Sequence, residues 1–71
     1  MPRVGAKARI AHFGGERENG TVVAVRDEGR LIEVRAQDGQ VLQFVLSPAT
    51  ARFASASSRQ GPRLELLEDG R

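Results

Sequence analysis

The dipeptide Asp38-Gly39 separates two segments in which apolar and polar residues alternate, and it constrains the fold more than any other feature of the chain. Alternation with a period of two is typical of a strand with one buried face. Aspartate followed by glycine favours the positive φ angles that a two-residue hairpin turn requires at both positions. We therefore expect residues 31–37 and 40–46 to pair as antiparallel strands. Their predicted inward positions are Ile32, Val34, Ala36, Leu42, Phe44 and Leu46.

Turn-forming residues divide the preceding part of the chain into two further predicted strands. Residues 5–11 alternate in the same way, and the largely β-branched residues 21–25 suit a strand that is covered on both faces. The glycine-rich polar residues 12–20 between them predict a loop, and residues 27–30 predict a turn. The inward positions of the first strand are Ala6, Ala8 and Ile10.

The chain after Ser47 gives weaker signals. Proline donates no backbone hydrogen bond, so Ser47-Pro48 ends the ladder. Serine before proline is also an N-cap candidate, so a short helical turn near Pro48, over residues 49–51, competes with strand. Residues 52–57, with Phe53 as their anchor, favour a short strand. A loop over 58–62, a last strand over 63–67 with Leu64 and Leu66 inward, and a frayed tail over 68–71 complete the prediction.

Five or six short strands joined by glycine-containing turns, with no segment long enough for a helix, predict an all-β fold. A small barrel is favoured because closing the sheet limits its exposed edges. A chain of 71 residues is below the usual size of a single domain, so residues 1–71 form one domain with one small core. We expect no deep substrate cavity in a core of this size.

Three features of the first 46 residues carry a family resemblance. Gly5 precedes the first strand, a polar loop follows, and residues 20–25 spell Gly-x-Val-x-x-Val. In this respect residues 4–46 resemble the Src-homology-3-like barrels of the KOW and Tudor type, which implies a five- to six-stranded Src-homology-3-like barrel. The residues after Ser47 match no pattern of that family. The aromatic cage of Tudor domains has no candidates beyond Phe13, Phe44 and Phe53, so methyl-lysine recognition is disfavoured.

The sequence offers little for catalysis or metal binding. It has no cysteine, which excludes disulfides and thiol nucleophiles, and one histidine, His12, which we expect to be solvated. Glu16 and Glu18 are better explained as solvated partners of Arg17 than as an acid and base pair. Gly14-Gly15 lacks the spacing of a phosphate-binding loop. We predict no catalytic residue, no metal site and no cofactor.

Arginine gives the better functional signal. The net charge is only +2, but ten of the eleven basic residues are arginines. Several of the cations fall at outward strand positions, and a guanidinium patch suits phosphate. The sequence predicts a non-enzymatic module that binds RNA or DNA backbone through Lys7, Arg9, Arg26, Arg35 and Arg52. Residues 34–63 form a basic half of the chain, in which one acidic residue, Asp38, stands against Arg35, Arg52, Arg59 and Arg63. In the alternative explanation these are ordinary solubilising charges paired with Glu28, Glu33 and Glu65.

A second functional hypothesis uses the outer apolar positions. Val41, Val45 and Leu67 fall opposite the presumed core, where they mark a protein-interaction surface or a homodimer contact, unless terminal segments cover them. A regulatory adaptor with an acidic protein partner, or one that pairs an exposed strand, fits this pattern. A third and weaker hypothesis is an enzyme whose site forms between subunits around His12. The oligomeric state and the partner stay open at this stage.

The apolar segments of the chain are short. No run approaches the 18 or more residues that a membrane span needs, and no signal-peptide core is recognisable. The sequon Asn19-Gly20-Thr21 is better explained as a turn followed by a strand. These observations predict a cytoplasmic protein with no membrane partner.

Overall fold

Six antiparallel strands form a closed barrel. The structure is a computed structural model and describes residues 3–56 and 61–67. Each strand pairs with the next along the chain, and the last pairs with the first. The all-β prediction is confirmed, and the architecture is consistent with a Src-homology-3-like barrel. The strands are β1 Lys7–Ala11, β2 Arg17–Arg26, β3 Leu31–Arg35, β4 Val41–Ser47, β5 Arg52–Ser55 and β6 Arg63–Leu66.

The core is built from every second residue along the strands, because these are the residues whose side chains point into the barrel. Phe44 is its largest fully buried side chain, and Phe53 is 8% exposed, so both phenylalanines lie in the core as predicted. On the other face of β4, Val41 and Val45 are exposed, also as predicted. The buried set comprises Ala8, Ile10, Val22, Ile32, Val34, Ala36, Phe44, Phe53 and Leu64.

A β-bulge at Val23 reverses the alternation along β2. Val22 lies opposite Val34, but Ala24 lies opposite Glu33, so one extra residue is accommodated between the two pairs. The extra residue changes which face the following side chains occupy. As a result Val22 is buried and Val25, three residues later, also packs against the core.

The predicted loop over residues 12–20 is too long. Residues 17–20 belong to β2 and pair with β1, with Ala11 opposite Arg17. The turn closes earlier: the His12 amide donates to the Glu16 carbonyl at 2.7 Å, and Gly15 has a φ of 97°. The prediction was wrong at residues 17–20 because polar side chains and a glycine do not exclude a strand. The hairpin needs backbone pairing there rather than an apolar outer face.

The hairpin between β3 and β4 is confirmed at Asp38-Gly39, but its turn has three residues instead of two. The Ala36 amide donates to the Gln40 carbonyl at 2.7 Å, and the Gly39 amide donates to the Ala36 carbonyl at 3.0 Å. Only Gly39 of this turn has a positive φ, 91°. The geometry is that of a type I turn followed by a left-handed glycine, which fits a right-twisted hairpin as well as the two-residue turn does.

The segment after β4 contains a turn and no helix. The Ala51 amide donates to the Ser47 carbonyl at 2.7 Å, and Ala51 takes a φ of 59° that ends the turn and starts β5. In place of the predicted helical turn near Pro48, the structure has a single turn closed by this hydrogen bond. A 3-10 turn occurs instead at Asp27–Gly29, where the sequence predicts a turn.

Leu66 lies on the predicted inward face, since it pairs with the buried Ala8. It is nevertheless 39% exposed, because β5 pairs with β6 only at Arg63 and Leu64 and does not cover it. Most of the predicted loop over 58–62 and all of the tail over 68–71 lie outside the described residues. No helix within the described part of the chain is long and apolar enough to cross a membrane.

Candidate functional site

Three of the predicted cations lie together on the outside of the barrel. Lys7 and Arg9 are outward residues of β1, and Arg35 is an outward residue of β3. Strand β2 runs between them, and its Thr21 lies opposite both Lys7 and Arg35. Neighbouring strands are about 4.8 Å apart, so the Cα atoms of Lys7 and Arg35 are separated by roughly 10 Å. We call Lys7, Arg9 and Arg35 the basic face.

The basic face borders a shallow groove. Asn19 and Thr21 of β2 form part of its floor, and Gln37 closes one side of it. The amide of Asn19 and the hydroxyl of Thr21 add neutral hydrogen-bond donors between the cations. The groove therefore offers both charged and neutral hydrogen-bond donors. Phosphate oxygens accept hydrogen bonds from both kinds.

The cations of the basic face have no carboxylate partner in the part of the chain that the structure describes. Within residues 3–56 and 61–67, no carboxylate oxygen lies within 4.0 Å of their nitrogens. Glu65 lies opposite Arg9 across β1 and β6, but its Oε1 is 3.9 Å from Nε of Arg17 instead. Among the described residues these exposed like charges form no ion pair, and cations at this spacing favour a bound anion.

Arg26 does not join the basic face. It lies at the far end of β2, opposite Leu31, and its Nε is 3.4 Å from Oε2 of Glu33. The same oxygen accepts a hydrogen bond of 3.0 Å from the Gln43 side chain. For this residue the explanation of a paired surface charge applies, since exposed pairs of this kind contribute little and need no ligand.

Arg52 lies on a different surface, near the turn between β1 and β2. This surface is a second groove that we call the Phe13 groove, and it lies next to the buried side chains of Phe53 and Leu64. Arg59, also predicted in the basic half, falls outside the described residues. The residues that define the Phe13 groove are His12, Phe13, Arg17, Arg52, Arg63 and Glu65.

The sequence did not place Arg17 in a site, because it was assigned to a loop. Its strand position was recognisable from the outward alternation of Arg17, Asn19 and Thr21, which continues β2 toward its start. Phe13, by contrast, lies in the segment 12–20 that the sequence predicts to be a loop. It is 80% exposed, whereas the other two phenylalanines are buried.

His12 and Glu18 form a contact at one end of the barrel. Nε2 of His12 lies 2.5 Å from Oε2 of Glu18, and Oε1 of Glu18 accepts the Gln37 amide at 3.3 Å. The side chains of His12 and Glu18 are 35% and 25% exposed. The sequence predicts a solvated His12 and a Glu18 that partners Arg17, whereas the structure pairs Glu18 with His12. Glu18 instead joins the first hairpin to the turn between β3 and β4, which indicates a structural role.

Metal ligands are not grouped in the part of the chain that the structure describes: no three histidine, aspartate or glutamate side chains converge there. No family model matches the chain, and no curated protein and no solved structure is significantly similar to it. The fold and the site thus define a small closed β-barrel that carries the basic face and the Phe13 groove on its outside.

Proposed function

We propose that this protein is a non-enzymatic module that binds the phosphate backbone of nucleic acid through its basic face. The observation that carries the proposal is the grouping of Lys7, Arg9 and Arg35 around one groove with no carboxylate partner among the described residues. The barrel fixes the spacing of the strands that carry these cations, so binding has to order only their side chains.

The chemistry of the groove favours phosphate over a carboxylate-bearing peptide. Arg9 and Arg35 present planar guanidinium groups that match two phosphate oxygens each, and Lys7 adds a compact charge. Asn19 and Thr21 supply neutral donors of the kind that commonly contact sugar and phosphate. Contacts to the backbone carry no base information, so we expect binding by this face to be independent of sequence.

The KOW assignment belongs to this proposal as well. Its support is that Val22 and Val25, the two valines of the Gly-x-Val-x-x-Val pattern, both pack inward around the bulge. The Tudor alternative is not favoured, because Phe44 and Phe53 are buried in the core and are not placed to line an aromatic cage.

The proposal is tested by the salt dependence of binding. Fluorescence anisotropy with a labelled, mixed-sequence RNA of twelve nucleotides and a DNA duplex of equal length measures affinity between about 50 and 200 mM salt. Contact with three phosphates predicts a slope of log K against log salt of roughly −2 for the single strand and −3 for the duplex. A flat slope, or no binding at the lowest salt, contradicts the proposal.

Single substitutions identify the face. Arg9→Gln and Arg35→Gln are each expected to weaken binding and to reduce the salt slope by about one phosphate contact. Arg26→Gln is the matched control, because it removes the same charge from a residue that is paired with Glu33 at the far end of β2. Equal losses for all three variants indicate attraction by net charge alone and exclude a defined site.

A protein-interaction module is the second candidate, favoured by the exposure of Val41 and Val45, which are 49% and 42% accessible. Its strand-pairing form is not supported, because all six described strands pair with two neighbours. Sedimentation at several concentrations, together with salt-independent binding that is lost in Val41→Asp, would favour this candidate. A cytoplasmic location is part of both proposals.

A further inference from the structure

We propose that the Phe13 groove is a base-stacking site, which makes single-stranded nucleic acid the preferred ligand over duplex. This inference rests on the proposed function, since it adds a second subsite to the same ligand. It assigns a role to Phe13, Arg52 and Arg63. Of these three residues, the sequence-based hypothesis of backbone contact used only Arg52.

The first observation is the position of Phe13. It is 80% exposed at the tip of the turn between β1 and β2, in a protein whose other two phenylalanines fill the core. A core this small gains stability from each buried aromatic side chain, so a phenylalanine left in solvent contributes little to folding. An exposed aromatic ring next to a concave surface is the platform on which an unpaired base stacks.

The second observation is the charge around the ring. Arg17, Arg52 and Arg63 border the same groove, and the one carboxylate there, Glu65, lies 3.9 Å from Arg17. Within the described residues Arg52 and Arg63 have no ion pair, so the groove has two uncompensated cations beside an aromatic ring. This combination fits one nucleotide, with its base against Phe13 and its phosphates near the guanidinium groups.

The third observation is that the two grooves adjoin. Arg17 and Asn19 are successive outward residues of β2, which places them about 7 Å apart along the strand. Arg9 lies opposite Glu65, so Arg63, two residues before Glu65, is its diagonal neighbour on β6. A single strand that leaves the Phe13 groove can therefore continue onto the basic face along the outward residues of β2.

These observations separate single strand from duplex. Bases of a duplex are stacked on one another and cannot lie flat on a side chain unless they are unpaired. The basic face alone would serve either form, because it contacts only backbone. The Phe13 groove adds affinity only for a strand with a free base, and RNA and DNA single strands are both expected to use it.

The test uses the absence of tryptophan and tyrosine from the chain. Phe13→Trp introduces the sole tryptophan, and its fluorescence reports stacking directly. Addition of a single-stranded oligonucleotide of eight thymidines is expected to quench this signal, and an abasic strand with the same number of phosphates is expected not to. Val45→Trp, on an exposed position outside both grooves, is the matched control and is expected to show no quenching.

Affinities complete the test. Phe13→Ala is expected to weaken binding of the thymidine strand by about tenfold and to leave binding of the abasic strand unchanged. The variant should fold normally because the side chain is exposed, and circular dichroism verifies this. Arg52→Gln and Arg63→Gln are expected to weaken binding of both the thymidine strand and the abasic strand. They should also reduce the slope of log K against log salt by roughly 0.7 for each lost phosphate contact.

The outcomes distinguish the two proposals. Wild-type binding that is salt-dependent, equal for thymidine and abasic strands and unaffected by Phe13→Ala overturns the stacking site while the proposed function stands. Tighter binding of duplex than of single strand overturns it as well. A wild-type protein that binds none of these oligonucleotides at low salt overturns the proposed function itself, together with the stacking site.

Discussion

Gly20 and Val34 approach so closely that a Cβ atom on residue 20 would lie 2.6 Å from Cγ1 of Val34. The same atom would be 3.0 Å from the Arg35 carbonyl oxygen and 3.3 Å from Cδ1 of Ile10. Gly20 is buried and has no positive φ, so what excludes a side chain here is space and not backbone conformation. The closeness allows β2 to pass over the core between β1 and β3.

Gly20→Ala is therefore expected to destabilise the protein by about 1–3 kcal/mol, because Val34 and the backbone of β3 must both shift. Gly14→Ala is the control, since nothing lies within 4 Å of the Cβ position and its φ is not positive. Urea denaturation followed by circular dichroism measures both free energies of unfolding. Equal stability of the two variants would contradict the close packing at residue 20.

Ala51 carries a conformational strain that glycine would relieve. Its φ of 59° lies in the left-handed region, which costs alanine roughly 1 kcal/mol, and the residue is exposed. Ala51→Gly is expected to raise the free energy of unfolding by about 0.5–1 kcal/mol. Ala49→Gly, in the same turn but without a positive φ, is expected to lower it slightly. A destabilised Ala51→Gly variant would be inconsistent with this turn geometry.

Phe44 and Phe13 provide a matched pair of the same residue type. Phe44 is fully buried, and Phe44→Ala is expected to lower the free energy of unfolding by about 3–5 kcal/mol. A loss of this size is comparable to the whole stability of a domain this small. Phe13→Ala is expected to change stability by less than about 0.5 kcal/mol. Phe44→Leu, with an intermediate loss, keeps the comparison measurable if Phe44→Ala does not fold. Thermal melts of the three variants give the order, and a large loss for Phe13→Ala would disagree with its exposure.

Glu18 holds the turn between β3 and β4 through the Gln37 amide. Glu18→Ala removes the acceptor of that hydrogen bond, so exchange of the Gln37 amide hydrogen should accelerate roughly fivefold. Glu16→Ala, in the same hairpin but exposed, should leave the rate unchanged. Hydrogen exchange followed by NMR resolves the single amide. Unchanged exchange in Glu18→Ala would show that this carboxylate does not hold the turn.

The residues of the predicted site lie on separate surfaces of the barrel, and their positions in the sequence do not show this. Arg26 and Arg35 both occupy outward positions, but they lie at opposite ends of the β2–β3 pair, and Arg26 faces Glu33. Arg52 follows a turn that carries it to the Phe13 groove. Outward alternation identifies which cations reach solvent. It does not give the register of the strands around the barrel, and so the sequence groups Arg26 and Arg52 with Lys7, Arg9 and Arg35.

The amino-acid sequence by itself determined most of the strand segments and most of the core, but not the first four residues of β2. The alternation of Ile32, Val34 and Ala36, the glycine at residue 39 and the apolar run after Gly20 act locally, because burial of one face and turn chemistry depend on near neighbours. Tertiary structure alone decided the bulge at Val23, the pairing of β6 with β1 and the two grooves. These follow from barrel closure, in which the stagger of every strand must satisfy all the others at once.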